Sequence, residues 1–274
     1  MRLLDKMDYK LPPLPYRTAE SNKGTFGKIL NISGSKYMPG AAYISSVAAM
    51  TSGCGLVCLM ADKSVIKSVS AQTPVITFAP YSNLKEKLKT FDVLLIGCGL
   101  STSKKAVKIF NASLKYSNVP TVIDADGLNI LAQKSVKLPD KTILTPHPLE
   151  AARLLHTDLQ TVLKNKEKAA KEICEKYNCI TVLKSHETIV TDGKTVFKNI
   201  TETTALAKGG SGDVLAGMIA GFLAQKMPLF DAAALGVYLH GKSGDIAAKN
   251  LTEYCVTSID TIRFIHKAFT DYIR

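Results

Sequence analysis

The run Lys208-Gly209-Gly210-Ser211-Gly212-Asp213, leading into Val214-Leu215-Ala216-Gly217, carries the strongest chemical signal in the chain. Glycines let backbone N–H groups turn inward and approach a ligand closely. A helix N-terminus adds unsatisfied donors and the positive end of the dipole. A loop built on Gly210, Ser211 and Gly212 and opening a helix is therefore suited to cradle a phosphoryl group. Asp213 would repel that group if the loop only bound it, but fits as a base taking the proton from a hydroxyl that attacks phosphorus. The competing reading is an aspartate N-cap behind a packing loop. No G-x-x-x-x-G-K-[ST] run is present, so this is not a Walker loop. Gly97-Cys98-Gly99 lacks the third glycine of a dinucleotide fingerprint, which disfavours a Rossmann dehydrogenase.

Other unusual residues directly follow short apolar runs: Gly97-Cys98-Gly99 after Val93–Ile96, Asp124 and Asp126 after Thr121–Ile123, Thr145–Pro148 after Thr142–Leu144, and Lys184 after Ile180–Leu183. Apolar runs without alternation read as strands buried on both faces of a parallel sheet. In such sheets ligands bind beyond the carboxyl ends of the strands, so four coincidences of this kind point to one long crevice. Lys28–Ser33, Leu56–Met60 and Val75–Phe78 complete the expected parallel set, and Asp192-Gly193 between Thr188–Thr191 and Thr195–Lys198 marks a hairpin. Helices are expected at Ala41–Thr51, Asp213–Gln225, Leu229–Lys249 and Ser258–Asp271. A further helix covers Leu159 to Tyr177, where apolar residues keep helical spacing and lysines take the other face. With no repeat, long linker or composition break, residues 1–274 read as one α/β domain with right-handed crossovers.

At 274 residues, with 46% hydrophobic and 21% charged residues, the chain is an ordinary globular sequence. The longest nearly apolar run, Val214–Ala224, is too short to span a bilayer, and Met1–Tyr16 has no signal-peptide core. These features give a cytoplasmic, membrane-free expectation. The formal charge of +12 suits either nucleic acid or an anionic small molecule. The lysines decide between them: Lys85, Lys87 and Lys89, then Lys104, Lys105 and Lys108, then Lys164, Lys166 and Lys168 fall in separate helical stretches without interleaved aromatics. They read as solvated helix faces, with no nucleic-acid partner. The six cysteines form no C-x-x-C pair, and no metal site is expected from them and the five histidines.

The G-G-S-G-D loop ahead of a terminal helix cluster resembles the ribokinase-like superfamily, and within it the ADP/ATP-dependent NAD(P)H-hydrate dehydratases. The similar segments run in order along roughly 220 residues. They are Lys23-Gly24-Thr25-Phe26-Gly27, Met38-Pro39-Gly40-Ala41-Ala42, Thr51-Ser52-Gly53 with Gly55, Ile96–Leu100, Asp124–Asn129, Leu144–Pro148 with Glu150, Val182-Leu183-Lys184, Ala205–Asp213 and Tyr238–Gly241. T-P-H-P and K-G-T-F-G set this family apart from sugar kinases at large.

The resemblance implies a three-layer α/β sandwich with a mainly parallel central sheet covered by helices on both faces. It implies repair of the S form of hydrated NADH or NADPH, with ADP as phosphoryl donor, ATP as the alternative and Mg²⁺ assisting. AMP and phosphate are the expected products. By position it makes Asp213 the catalytic base, and Ala41, Gly99, His147 and Asp213 the residues at the hydrated cofactor. Gly210, Ser211 and Gly212 cradle the transferred group, and Lys184, Ser185, His186, Glu187 and Thr188 form the adenine-nucleotide segment. It also implies a homotetramer. No room is expected for the epimerase domain of bifunctional relatives, since Lys23-Gly24 opens the match almost at once, so an R hydrate would need a separate epimerase or spontaneous equilibration.

Plainer readings stay open beside these. His147 between two prolines reads as a rigid turn residue, Lys184 as a surface lysine at a strand end, Asp126 as the N-cap of Gly127–Leu131, and His240 as a packing histidine. Asp124 and Asp126 suit Mg²⁺ through water. Gly55 and Gly217 read as close-packing sites. Cys98 replaces the family's proline and is expected to loosen that turn, Leu149 and Ser185 replace glycines, and Glu202 is unfavourable near a polyphosphate. Two other functions remain. One is a kinase for a hydroxymethyl vitamin precursor, which would release a phosphorylated substrate. The other is a catalytically weak nucleotide-binding protein.

Overall fold

The computed structural model describes residues 9–133, 136–200 and 203–273. Glu202 therefore lies outside the described residues, as does the first half of the run read as lacking a signal core. Strands β1 (Lys28–Ile32), β2 (Leu56–Met60), β3 (Thr77–Ala79), β4 (Val93–Ile96), β5 (Thr121–Ile123), β6 (Thr142–Leu144), β7 (Ile180–Leu183), β8 (Glu187–Thr191) and β9 (Val196–Ile200) form one sheet in the order 3-2-1-4-5-6-7-8-9. The first seven positions pair in parallel; β8 and β9 close one edge as an antiparallel hairpin.

Side chains alternate across each strand, so each strand supplies two cores. Ile29, Val93, Leu95 and Val182 point to one face, where they meet α1 (Pro39–Thr51), α2 (Lys63–Ser70), α9 (Ser211–Ala224), α10 (Leu229–Leu251) and α11 (Ser258–Ile273). Leu30, Ile32, Leu94, Ile96 and Leu183 point to the other, against α3 (Leu84–Thr90), α4 (Lys104–Tyr116), α5 (Asp126–Gln133), α6 (Pro148–Leu155), α7 (Leu159–Lys164) and α8 (Lys166–Tyr177). Both faces are apolar, which is why the strand sequences lack alternation. The result is the expected three-layer, mainly parallel α/β arrangement.

Three expectations shift. The single helix expected over Leu159 to Tyr177 is two, α7 and α8, because Asn165 leaves the helical conformation and its side chain caps α8 by accepting from Lys168 N at 3.0 Å. The strand expected at Val75–Phe78 is Thr77–Ala79, because only three residues find partners on β2, at Cys58–Met60, and Val75 stays exposed. The helix expected from Asp213 begins two residues earlier, at Ser211.

The chain runs from β1 outward through β2 and β3, then crosses back to β4 on the other side of β1. The strand order thus reverses between β1 and β4, the place where an open α/β sheet leaves a crevice. The loops leaving these two strands are tied together by Gly34 N–H donating to the Cys98 carbonyl at 2.8 Å. Beneath them α9 lies directly on α1: a Cβ at Gly217 would sit 2.4 Å from the Ser45 carbonyl oxygen. Gly55 is likewise a close-packing site, its Cβ position 1.8 Å from the Lys23 carbonyl. On α1's inner side, the buried Asn31 amide donates to the hydroxyls of Ser45 and Ser46, both at 2.9 Å. Among the described residues no helix is long and apolar enough to cross a membrane.

Candidate active site

Helix α9 starts at a glycine N-cap. Gly210 sits at φ 88°, a conformation that favours glycine, and no side chain caps the helix. Asp213 is the third residue inside the helix, so the N-cap reading of Asp213 is corrected: the cap is Gly210. Gly212 is closely approached: a Cβ there would lie 3.1 Å from Lys184 Nζ and 3.7 Å from Asp124 Oδ2. The glycine-rich loop and the ends of β5 and β7 therefore meet, although they are far apart in sequence.

Lys184 is not a surface lysine. Its side chain is 18% exposed, and Nζ donates to Asp124 Oδ1 at 2.6 Å with Glu150 Oε2 at 4.0 Å. Burial alone would lower its pKa; the two carboxylates outweigh burial and hold it raised. Asp124 is buried and also accepts from Thr145 Oγ1 at 2.7 Å. Three successive strand ends, those of β5, β6 and β7, are thus joined at one carboxylate. Asp126 is no N-cap for α5: its carboxylate reaches outward to the Ser101 N–H at 2.7 Å.

His147 caps α6. Its Nδ1 accepts from Leu149 N at 3.2 Å and Glu150 N at 3.3 Å, and Glu150 Oε2 accepts from His147 N at 2.8 Å. This reciprocal pair is a capping box with histidine in the place usually taken by serine or threonine. The turn reading of His147 thus describes its backbone, while its half-exposed ring remains available to a ligand. Burial, then Lys184, lowers its pKa, which favours the neutral ring whose Nδ1 accepts. Glu150 is pushed up to about 7 by burial, against the opposing pull of Lys184.

Cys98, Asp124 and Asp213 bring one side-chain donor atom each within 4.8 Å of one another. Cys98 is fully buried, and its Sγ lies 3.8 Å from Asp124 Oδ2. The expectation that Cys98 loosens its turn is not met: the turn is fixed by the Gly34 bond, by Gly97 N–H on Ile32 O and by Leu100 N–H on Gly97 O. Asp213 has a pKa raised to about 7, first by burial and then by the negative Asp124; a hydrogen bond from the Cys98 thiol and the charge of Lys184 act against the rise. A carboxylate poised near neutrality can take a proton and return it. A hard cation such as Mg²⁺ is poorly served by this trio, because Asp124 is already engaged by Lys184 and Thr145 and the third donor is a thiol.

A cavity of about 650 Å³ opens beside the loop. His147, Lys184, Ser185, His186, Thr188, Ser211 and Gly212 line it, together with Thr203, Thr204, Lys208, Leu206, Val237 and His240. No carboxylate occurs among the described residues of its wall. Glu187, Gly210 and Asp213 are not among its lining residues, and Glu187 is drawn to Lys166 at 3.8 Å. Ala41 and Gly99 are not brought to this cavity either. They face each other at the β1–β4 reversal, where a Cβ on Gly99 would lie 2.7 Å from the Ala41 Cβ.

The predicted residues thus divide into a nucleotide-sized cavity and a second group beneath the loops after β1 and β4, with Gly212, Asp213 and Lys184 at the boundary. His240 is buried as a packing residue would be, yet its Nε2 lies 3.4 Å from Ser211 Oγ under the loop. Burial, then Lys184, lowers it to about 4, so it is neutral. The sequence offered no sign of this pairing, since a histidine on an apolar helix looks the same in any core.

The family model described as NAD(P)H-hydrate dehydratase matches residues 29–266. A Neisseria meningitidis protein named ADP-dependent (S)-NAD(P)H-hydrate dehydratase is 37% identical over 84% of this chain and 80% of its own length. The Vibrio cholerae bifunctional NAD(P)H-hydrate repair enzyme Nnr is 36% identical over 86% of this chain, which spans about half (48%) of that longer relative. The crystal structure of the Bacillus subtilis ADP/ATP-dependent NAD(P)H-hydrate dehydratase, co-crystallised with ATP and Mg²⁺, superposes with a TM-score of 0.85, at 29% identity and covering 95% of each chain. With a family model matched over most of its length and a relative 37% identical across four fifths of both chains, the chain belongs to the NAD(P)H-hydrate dehydratase family.

Proposed function

We propose that this protein dehydrates the S form of hydrated NADH and NADPH, using ADP and releasing AMP and phosphate. The observation that carries the reading is Asp213: a carboxylate with its pKa raised to about 7, in the first turn of a helix that no side chain caps, beside a nucleotide-sized cavity. Hydroxide is a poor leaving group, so the C6 hydroxyl of the hydrate is first converted to an ester. Asp213 takes the hydroxyl proton as the oxygen attacks the terminal phosphorus, and AMP leaves. The ring nitrogen then pushes its electron pair toward C6 and expels phosphate, and loss of a proton from C5 restores the C5–C6 double bond.

Gly210, Ser211 and Gly212 hold the transferred phosphoryl group with backbone N–H groups at the helix start. Lys184 to Thr188 flank the adenine nucleotide, and Ala41, Gly99 and His147 contact the hydrated cofactor. Mg²⁺ fits as a companion of the nucleotide, held by phosphates and water, since no carboxylate occurs among the described residues of the cavity wall; when bound it neutralises phosphate charge. Of the remaining assignments, the homotetramer rests on the family resemblance, one domain spanning residues 1–274 on the unbroken composition, and a cytoplasmic location on the sequence reading alone.

The test follows NADH absorbance when purified protein meets hydrated NADH with ADP or ATP, at equal concentrations, with and without Mg²⁺. NADH return that is faster with ADP is expected. Preference for ATP would overturn the donor, a phosphorylated product without NADH would indicate a kinase, and saturated nucleotide with no turnover would leave a binding protein.

A further inference from the structure

On the far side of the sheet from α9, two thiols face each other. Helix α8 ends at Tyr177, and Asn178 takes the left-handed conformation at φ 48°. The N–H groups of Asn178 and Cys179 both bond back to the Cys174 carbonyl, the latter at 3.3 Å. This closing turn lays the residue beyond the cap over the last helical turn and sets their side chains together. Most helices place two apolar residues there; this one places Cys174 and Cys179. Cys174 Sγ lies 3.3 Å from Thr181 Oγ1 and 3.1 Å from the Thr191 carbonyl, and Cys179 Sγ lies 3.7 Å from the same threonine hydroxyl. Both thiols thus meet at the one threonine hydroxyl. Cys174 is buried and Cys179 is partly open to solvent.

We propose that Cys174 and Cys179 are a redox-active dithiol, which a low-molecular-weight disulfide converts into an intramolecular disulfide. A disulfide needs Cα atoms about 4.4–6.8 Å apart, and a backbone N–H···O bond between two residues draws their Cα atoms to about that separation. The acidity of the pair supports the chemistry. The contact with Cys179, and then the hydrogen bonds from Thr181, hold the Cys174 thiol low, while the same contact and burial push Cys179 well up. One proton therefore leaves the pair readily, and the charge is shared across the two sulfurs.

The proton shared between the two sulfurs passes to Cys174, and Cys179, the open member, attacks one sulfur of the external disulfide as the thiolate; the released thiolate takes up that proton and leaves Cys174 ionised. The Cys174 thiolate then attacks Cys179 Sγ and expels the second thiolate. Two electrons pass from the dithiol to the external disulfide, and the two protons end on the released thiols. Closure draws Cys174 Sγ from the Thr191 carbonyl and so alters the seam between α8 and β8.

The probe is oxidised glutathione, applied to a Cys255→Ser protein that removes the exposed thiol. Intact mass is expected to fall by about 2 Da without an adduct, with Cys174 and Cys179 linked in one peptide and reversal by dithiothreitol. Adding Cys174→Ser, or Cys174→Ala should the serine variant fail to fold, is expected to strand one glutathionyl group on Cys179. A mixed disulfide that persists on Cys179 while Cys174 is present overturns the proposal. So does failure of both thiols to react under conditions that fully modify Cys255 in the native sequence.

Discussion

Asp213 is held between opposing influences: burial and Asp124 disfavour its charge, while the Cys98 thiol and Lys184 favour it. Its folded pKa of about 7 lies above that of an unfolded aspartate, so ionisation opposes folding. The penalty is absent below about pH 4 and grows as pH rises toward 7. Asp213→Asn is therefore expected to cut turnover at least about a hundredfold with nucleotide binding kept. At pH 8 the same change should stabilise the fold by about 1–2 kcal/mol after screening, a gain that vanishes at pH 4; melting curves at both pH values check it. Cys98→Ala removes a donor to Asp213 and should move the acidic limb of kcat/KM to higher pH, costing activity at pH 6.5 and little at pH 8.5. His147 separates two roles: His147→Ala should lose about 1 kcal/mol with its cap and raise the KM for the hydrate, whereas His147→Asn should keep the cap and still raise KM. Asp213 and His147 were legible because each stands in a local motif. The Cys98 contact was not, since nothing in sequence joins the turn after β4 to the start of α9.

At the scale of elements, the glycine-marked seam between α1 and α9 sets how deeply the loop sits. Gly217→Ala would drive a methyl group into the Ser45 carbonyl, 2.4 Å away. The expected cost is about 1–3 kcal/mol, read as a lower urea midpoint with unchanged m-value. The tightness follows from shape, so the sequence could mark Gly217 as a packing site without naming its partner. Strand ends were legible for the same reason as the strands: runs apolar on both faces stop abruptly at polar residues. The edge strand β3 was misplaced because three pairing residues leave too little pattern, and Pro74 just before it obscures the start.

For the whole molecule, the formal charge is +12, and the described residues of the cavity wall include no carboxylate. An adenine nucleotide is thus drawn by a long-range positive field as well as by local donors, and its apparent affinity should weaken as salt rises from 50 to 300 mM, estimates that bracket the Debye length at about 10 Å. Calorimetric titration at both salt concentrations checks this; unchanged affinity would mean that backbone donors alone carry binding. The strand order could not be read from sequence, because every apolar run fits any interior place in a parallel sheet. Only the reversal between β1 and β4 brings the residues near Gly99 and Ala41 together.

The clasp at Asp124 bears on how strongly the site can hold what it binds. Lys184 has already given most of its field to Asp124, and the remainder leans toward Glu150. An arriving phosphate meets a cation that is nearly spoken for, so its grip at rest is moderate. As negative charge builds on the transferring group, Lys184 can swing its bias without moving far, since Asp124 keeps Thr145 as a second donor. On the proposed reaction, such an arrangement spends little on holding the nucleotide and lets the products leave readily, favouring rapid cycling over tight capture.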